Sequence, residues 1–285
     1  MTGFQAHFAD RLELTQIDRD IFTGFCHAGA PLRAYGGQIA AQALMAAGLT
    51  VDHEHRTCHS LHGYFLRPGR TKDSITYLVD RPRDGGSFST RFVRAVQHGE
   101  TIFMMTASFA RSEQGPEHQF DMPETIAPDA IAPVPPPTYA DPSIDLSELG
   151  YPDTNVIDLR VVNAYQTVAL VDGRFERMVW VRITEPVDAD PLVQACALTY
   201  LSDLTMVSTA VAPHDNEVER PRLMLDSIDH AIWFHHDFRT DEWLLFAQDT
   251  PVARGGHGLA RGLFFSLDGT LVASCVQESL MRMRR

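Results

Sequence analysis

Two stretches of the chain are apolar on almost every side. One runs from about Gly37 to Leu49, through Gln38-Ile-Ala-Ala-Gln42-Ala-Leu-Met-Ala-Ala47; the other runs from about Asp190 to Ser208. A helix with no polar face has to be buried on most sides, so each stretch predicts a central helix. The segments that follow alternate apolar and polar residues and are rich in Val, Ile, Phe and Thr. They predict strands over Ser74–Val79, Ser89–Gln97, Ile102–Ala110, Glu242–Ala247, Leu259–Ser266 and Leu271–Leu280. Helix first and antiparallel strands afterwards, twice over, predicts an α+β fold: two tandem hotdog domains, each a curved sheet wrapped around one helix.

The repetition is visible in the residues. Gly85-Gly86, Arg91 and Gly99 recur as Gly255-Gly256, Arg261 and Gly269, a spacing of 170 in each case, and Tyr64-Phe65 recurs as Trp233-Phe234 at 169. Four ordered matches at a nearly constant spacing indicate a duplicated unit. Between the copies the pattern breaks. Pro116, Pro123, Pro128, Pro133, Pro135, Pro136, Pro137 and Pro142 exclude helix interiors and central strands. The expected organisation is therefore residues 1–112 as an N-terminal domain, 113–153 as a proline-rich linker, and 154–285 as a C-terminal domain.

Against this background two polar residues stand out. Asp203 is the only charge between Leu192 and Val211. A carboxylate in such surroundings is costly unless something satisfies it. It either caps a turn or bonds to backbone, or it is a general base with a shifted pKa. On the last strand, Gln277 shares a face with Leu271, Ala273, Cys275 and Ser279. An inward amide needs partners. By the repeat, Gln277 corresponds to Ala107, and the first helix carries no acid. A polar pair present in one half only places a working site in the C-terminal half. Ser227, which corresponds to Cys58, is a weaker candidate, a hydroxyl entering a strand.

Several runs resemble the bacterial acyl-CoA thioesterase II family. They are Tyr35-Gly-Gly-Gln38, His59-Ser-Leu-His-Gly-Tyr-Phe-Leu-Arg-Pro-Gly69, Arg83-Asp-Gly-Gly-Ser-Phe-Ser89, Met105-Thr-Ala-Ser-Phe109, Tyr200-Leu-Ser-Asp203, Ser227-Ile-Asp-His-Ala-Ile-Trp-Phe-His235, Glu242-Trp-Leu-Leu245 and Val272-Ala-Ser-Cys-Val-Gln277-Glu. They span both halves. The resemblance implies hydrolysis of fatty acyl-CoA by an activated water, with Asp203, Ser227 and Gln277 as the catalytic residues. Threonine is common in the family where Ser227 stands, and serine keeps the hydroxyl. The Gly36-Gly37 pair is a candidate for close backbone approach to a ligand, or else a tight turn. Arg67, Arg81, Arg83 and Arg91 are candidate contacts for the CoA phosphates, each with an ion-paired role as the alternative.

Composition narrows the classes. A net charge of -13 argues against nucleic acid as partner. No apolar run is expected to reach the ~18 residues needed to span a bilayer, and no secretory leader is evident, so a cytoplasmic location is the expectation. Cys26, Cys58, Cys196 and Cys275 are scattered, which predicts buried free thiols rather than a metal or disulfide framework. Histidines are plentiful, but none has HExxH spacing; they are expected to be solvated or hydrogen-bonded. No metal and no cofactor are expected. Exposed sheet edges predict a homo-oligomer of double-hotdog chains. Two rival functions stay open at this level: a hotdog hydratase or dehydratase that leaves the thioester intact, and a non-catalytic acyl-CoA binding module.

Overall fold

The computed structural model describes residues 7–29, 33–52, 56–133, 156–162, 169–171, 174–214 and 222–284. The first half contains β1 (Thr15–Asp18), β2 (Ile21–Gly24), the two-residue strands β3 (Ala28–Gly29) and β4 (Arg33–Ala34), α1 (Gly36–Gly48), β5 (Thr57–Phe65), β6 (Ile75–Asp84), β7 (Phe88–Gln97) and β8 (Glu100–Ala110). The second contains β9 (Ile157–Val161), β10 (Ala169–Val171), β11 (Arg174–Ile183), α2 (Pro191–Ser202), α3 (Met206–Val211), β12 (Leu223–Ser227), β13 (Asp229–Phe234), β14 (Leu244–Arg254), β15 (His257–Ser266) and β16 (Leu271–Met283).

Fourteen strands form one sheet. From its centre the order runs β5-β8-β7-β6-β2-β1 in one direction and β13-β16-β15-β14-β11-β10 in the other. The two halves therefore mirror each other, and they join edge to edge where β5 pairs antiparallel with β13, His62 opposite Ala231. Both helices pack inside the curve. Their apolar side chains, Leu44, Leu198 and Leu201 among them, are fully buried; each such residue contributes roughly 1.5–3 kcal/mol of transfer free energy. The hotdog arrangement expected from the pattern is what forms.

The glycines of the repeat sit at equivalent hairpins. Gly255 (φ 64°) and Gly256 (φ 81°) make the two-residue turn between β14 and β15, where a primed turn requires positive φ. Gly99 (φ 79°) and Gly269 (φ 87°) turn β7 into β8 and β15 into β16.

Two expectations need correction. The second helix does not run to Ser208. It stops at Ser202 and resumes at Met206, and between the two Thr205 Oγ1 reaches across to Gln248 (2.9 Å). The 24-residue stretch Pro191–His214 is apolar enough by composition to cross a membrane, but 72% of its most apolar window is buried inside the protein.

Arg91 and Arg261 are not equivalent in space. Arg91 points inward and pairs with Ala107, whereas Arg261 points outward and Ala260 is the residue opposite Gln277. The turn takes up the difference of one residue: His98-Gly99 separates the paired Gln97 and Glu100 of β7 and β8, whereas Leu267-Asp268-Gly269 separates the bonded Ser266 and Thr270 at the end of β15.

The described part of the proline-rich segment is packed on the protein surface. Up to residue 133 it lies along the outer face of the second half. The indole of Trp180 donates to the Ile126 carbonyl (2.9 Å), and Gln119 bonds to both Gly269 and Leu271. Met122 and Ile131 pack on Trp180, Trp243, Leu245 and Phe265. Residues 134–153 of the expected linker lie outside the described residues.

Candidate active site

The two helices run antiparallel, and the site lies where the end of α2 meets the start of α1. A Cβ on Gly37 would come within 2.7 Å of the Tyr200 carbonyl, and one on Gly36 within 2.9 Å of Asp203 Oδ2. Glycine at both positions permits that approach. The first four N–H groups of any helix lack intrahelical acceptors. In α1 the N-cap is Tyr35, whose side chain does not cap the helix; its hydroxyl donates instead to the Tyr200 carbonyl (2.9 Å) on α2. The role of acceptor falls to the other half: the Gly37 N–H bonds to the Asp203 carboxylate.

Asp203 is the C-cap of α2 and is 9% exposed. Burial raises its pKa above the ordinary 3.8; His230, the Ser227 hydroxyl, the Gly37 N–H and Gln277 oppose the rise without cancelling it. Ser227 closes β12 and donates to Asp203 Oδ1 (3.1 Å). Gln277, fully buried on β16, donates from Nε2 to Ser227 Oγ (3.0 Å). The three residues singled out in the sequence thus converge on one hydroxyl, in the half where they were expected.

The repeat relation of Ser227 to Cys58 holds in space as well: Ser227 pairs with Ser279, and Cys58 with Phe109, partners that lie 170 residues apart.

Behind Gln277 stand two residues that the sequence reading passed over. His230 Nδ1 lies 2.7 Å from Gln277 Oε1, and His230 Nε2 lies 2.7 Å from Ser202 Oγ. Both residues are buried, and burial lowers the His230 pKa. His230 is therefore hydrogen-bonded but not solvated. Its strand parity was a usable signal: on β13 it shares the inward face with Ile232. Beside the site, Arg33 of the first half pairs with Asp226 of the second (2.8 Å).

The candidate phosphate contacts fare differently. Arg91 is buried and bonds to Asp84 and to Thr50, so it is structural. Arg81 is held by both oxygens of Asp20, and Arg67 by Glu100 (3.0 Å) and the Thr101 carbonyl. Arg83 is exposed, and its carbonyl accepts from Arg91. The Gly36-Gly37 pair makes its close approach to Asp203 and to the Tyr200 carbonyl. All four cysteines are buried and free. Among the described residues no group of three or more His, Cys, Asp or Glu could hold a metal ion.

Two fused hotdog units with a buried acid, hydroxyl and amide at the junction of their helices place the chain in the class of hotdog thioester hydrolases. Comparison with known proteins agrees. The acyl-CoA thioesterase family profile matches residues 153–280, and the acyl-CoA thioesterase N-terminal domain profile matches residues 27–110. Human acyl-coenzyme A thioesterase 8 is 34% identical over 96% of this chain and 88% of its own length. Acyl-CoA thioesterase 2 of Haemophilus influenzae is 34% identical over 95% of both chains. The crystal structure of acyl-CoA thioesterase II TesB2 from Mycobacterium marinum superposes with a TM-score of 0.83 at 39% identity, covering 96% of this chain and 98% of that one. The chain belongs to the acyl-CoA thioesterase family.

Proposed function

We propose that the enzyme hydrolyses fatty acyl-CoA with Asp203 as general base, acting on a water held between Ser227 and Gln277. The water oxygen attacks the thioester carbonyl carbon while Asp203 takes its proton. The tetrahedral intermediate then expels the CoA thiolate, which receives the proton back, leaving a free fatty acid and CoA. No covalent acyl-enzyme forms. A positioned general base supplies ~10²–10⁴-fold of the rate.

The observation that carries this reading is the convergence of Asp203 and Gln277 on Ser227 Oγ at 3.1 and 3.0 Å. Burial holds the carboxylate's pKa above the usual range, which makes it a stronger base at neutral pH. The second N–H of Gln277 is a donor suited to the water or to the developing oxyanion.

A three-domain-level division at 1–112, 113–153 and 154–285 is part of the same proposal. It is supported by the mirrored strand order and by the separate family matches in the two halves. So are a cytoplasmic place in lipid metabolism and a homo-oligomeric state; the exposed Tyr64 and Trp233 on the outer sheet face support the last.

The test is release of free thiol from acyl-CoA substrates of graded chain length, with an enoyl-CoA in parallel. Thiol release by the wild type, lost in Asp203→Asn, supports the proposal. Consumption of enoyl-CoA without thiol release would favour a hydratase, and binding without turnover a carrier.

A further inference from the structure

Gln277 can serve a water only if its amide faces the right way, and nothing in an amide's shape decides between its oxygen and its nitrogen. Ser227 has one proton, which goes to the Asp203 carboxylate (3.1 Å). Its oxygen is then an acceptor, so the Gln277 atom beside it must be the NH2. That turns Gln277 Oε1 toward His230 Nδ1, 2.7 Å away. A carbonyl oxygen brings no proton, so Nδ1 must carry one.

With Nδ1 protonated, a neutral ring leaves Nε2 as an acceptor. The group facing it is Ser202 Oγ at 2.7 Å. The Ser202 proton has two acceptors in reach, Nε2 and the Thr199 carbonyl at 2.9 Å, and the ring nitrogen is the nearer. Burial disfavours the charged, doubly protonated ring. The donors then run in one direction: Ser202 to His230, to Gln277, to Ser227, to Asp203. The chain starts and ends on adjacent residues at the end of α2.

We propose that His230, backed by Ser202, is a positioning residue: its Nδ1–H fixes the Gln277 amide with the NH2 toward Ser227 and the attacking water. It touches no reacting atom. It acts through Gln277, and chains of aligned hydrogen bonds strengthen one another. The inference rests on the assignment of Asp203, Ser227 and Gln277 as the catalytic group.

The test has a spectroscopic arm and a kinetic arm. In protein labelled with ¹⁵N in its histidine rings, the His230 signals are assigned by their disappearance in His230→Asn. The expected spectrum at neutral pH shows a protonated Nδ1 and an unprotonated Nε2; an Nε2–H ring overturns the proposal.

In the kinetic arm, His230→Leu, which loosens the donor without removing it, is expected to lower kcat by about 10–100-fold, below the ~10²–10³-fold of losing an oriented donor outright, with KM nearly unchanged. His230→Asn keeps a side-chain N–H near the Nδ1 position and should recover about a third or more of that loss on a logarithmic scale. Ser202→Ala, whose removal reaches the water only through His230, should cost less, about 3–10-fold in kcat.

A folded His230→Leu with wild-type kcat, or a loss confined to KM, overturns the proposal. If His230→Leu does not fold, Ser202→Ala and the ring spectrum decide. Wild-type turnover in Asp203→Asn would remove the catalytic group itself, whichever tautomer the ring shows; an Nε2–H ring beside an inactive Asp203→Asn defeats the positioning role alone.

Discussion

The antiparallel helix pair has two ends, built from the same positions of a duplicated unit, and only one carries the acid, hydroxyl and amide of the proposed site. At that end the C-cap of α2 is Asp203; at the other the C-cap of α1 is Leu49, which is 51% exposed. Ser227 is matched by Cys58, Gln277 by Ala107, and Ala260 by Arg91. The last exchange replaces a small apolar residue by a buried cation: Arg91 bonds to the hydroxyl and carbonyl of Thr50, just beyond the end of α1 (2.7 and 3.0 Å).

The helix starts differ too. α2 is capped by its own Asp190, whose Oδ1 accepts from Leu192 N (2.8 Å), while α1 takes its acceptor, Asp203, from the other half. On the proposed assignment, the N-terminal half carries no catalytic group of its own and contributes the helix start that lies against Asp203.

Asp203→Asn should break the comparison most severely. We expect kcat to fall by ~10³-fold, within the range of a general base, while Leu49→Asn leaves kcat unchanged; thiol release measures both. Stability should not follow activity. The folded-state pKa of Asp203 is raised above its unfolded value. Its stabilising contribution is therefore present below the unfolded pKa and is lost as pH rises through the folded pKa. At neutral pH the buried charge is a liability, so Asp203→Asn should melt no lower than wild type.

Gln277→Ala should cost about 10²-fold in kcat, the lower end for loss of a preorganised donor, against less than about twofold for Ala107→Gln at the equivalent position. Ser227→Ala should cost about tenfold and Ser227→Thr little, because threonine keeps the hydroxyl; Cys58→Ser should leave the rate unaltered. Arg91→Ala should have the smallest kinetic effect. It opens the second end without providing a base there, so activity stays near wild type while the melt reports a loss of about 1–3 kcal/mol from the unpaired Thr50 and Asp84.

Much of this was legible in the chain. The two all-round apolar helices and the glycine spacing revealed the duplicated hotdog. The isolated acid in Leu192–Val211 and the amide on an inward strand face pointed to Asp203 and Gln277. What could not be read depends on registers that composition does not encode. The one extra residue in the Leu267–Gly269 turn made Arg261 a false match for Arg91. The break after Ser202 turned an expected helical aspartate into a C-cap. β9 (Ile157–Val161) and β11 (Arg174–Ile183) were not anticipated as strands. The described stretch of the proline-rich segment packs on Trp180 and Trp243 because its backbone carbonyls and apolar side chains find partners that are distant in sequence. His230 was one histidine among 13, and only its inward parity on β13 set it apart.

The central claim is that a buried carboxylate, ionised against the cost of its surroundings, takes the proton from water. The pH dependence of kcat/KM measures it directly, since the acid limb reports the essential base of the free enzyme. The account predicts a limb displaced above the ordinary carboxylate value of 3.8, with activity falling as pH drops through it, and no such limb in the residual activity of Asp203→Asn. A limb that persists unchanged in that variant would show that another group is the base.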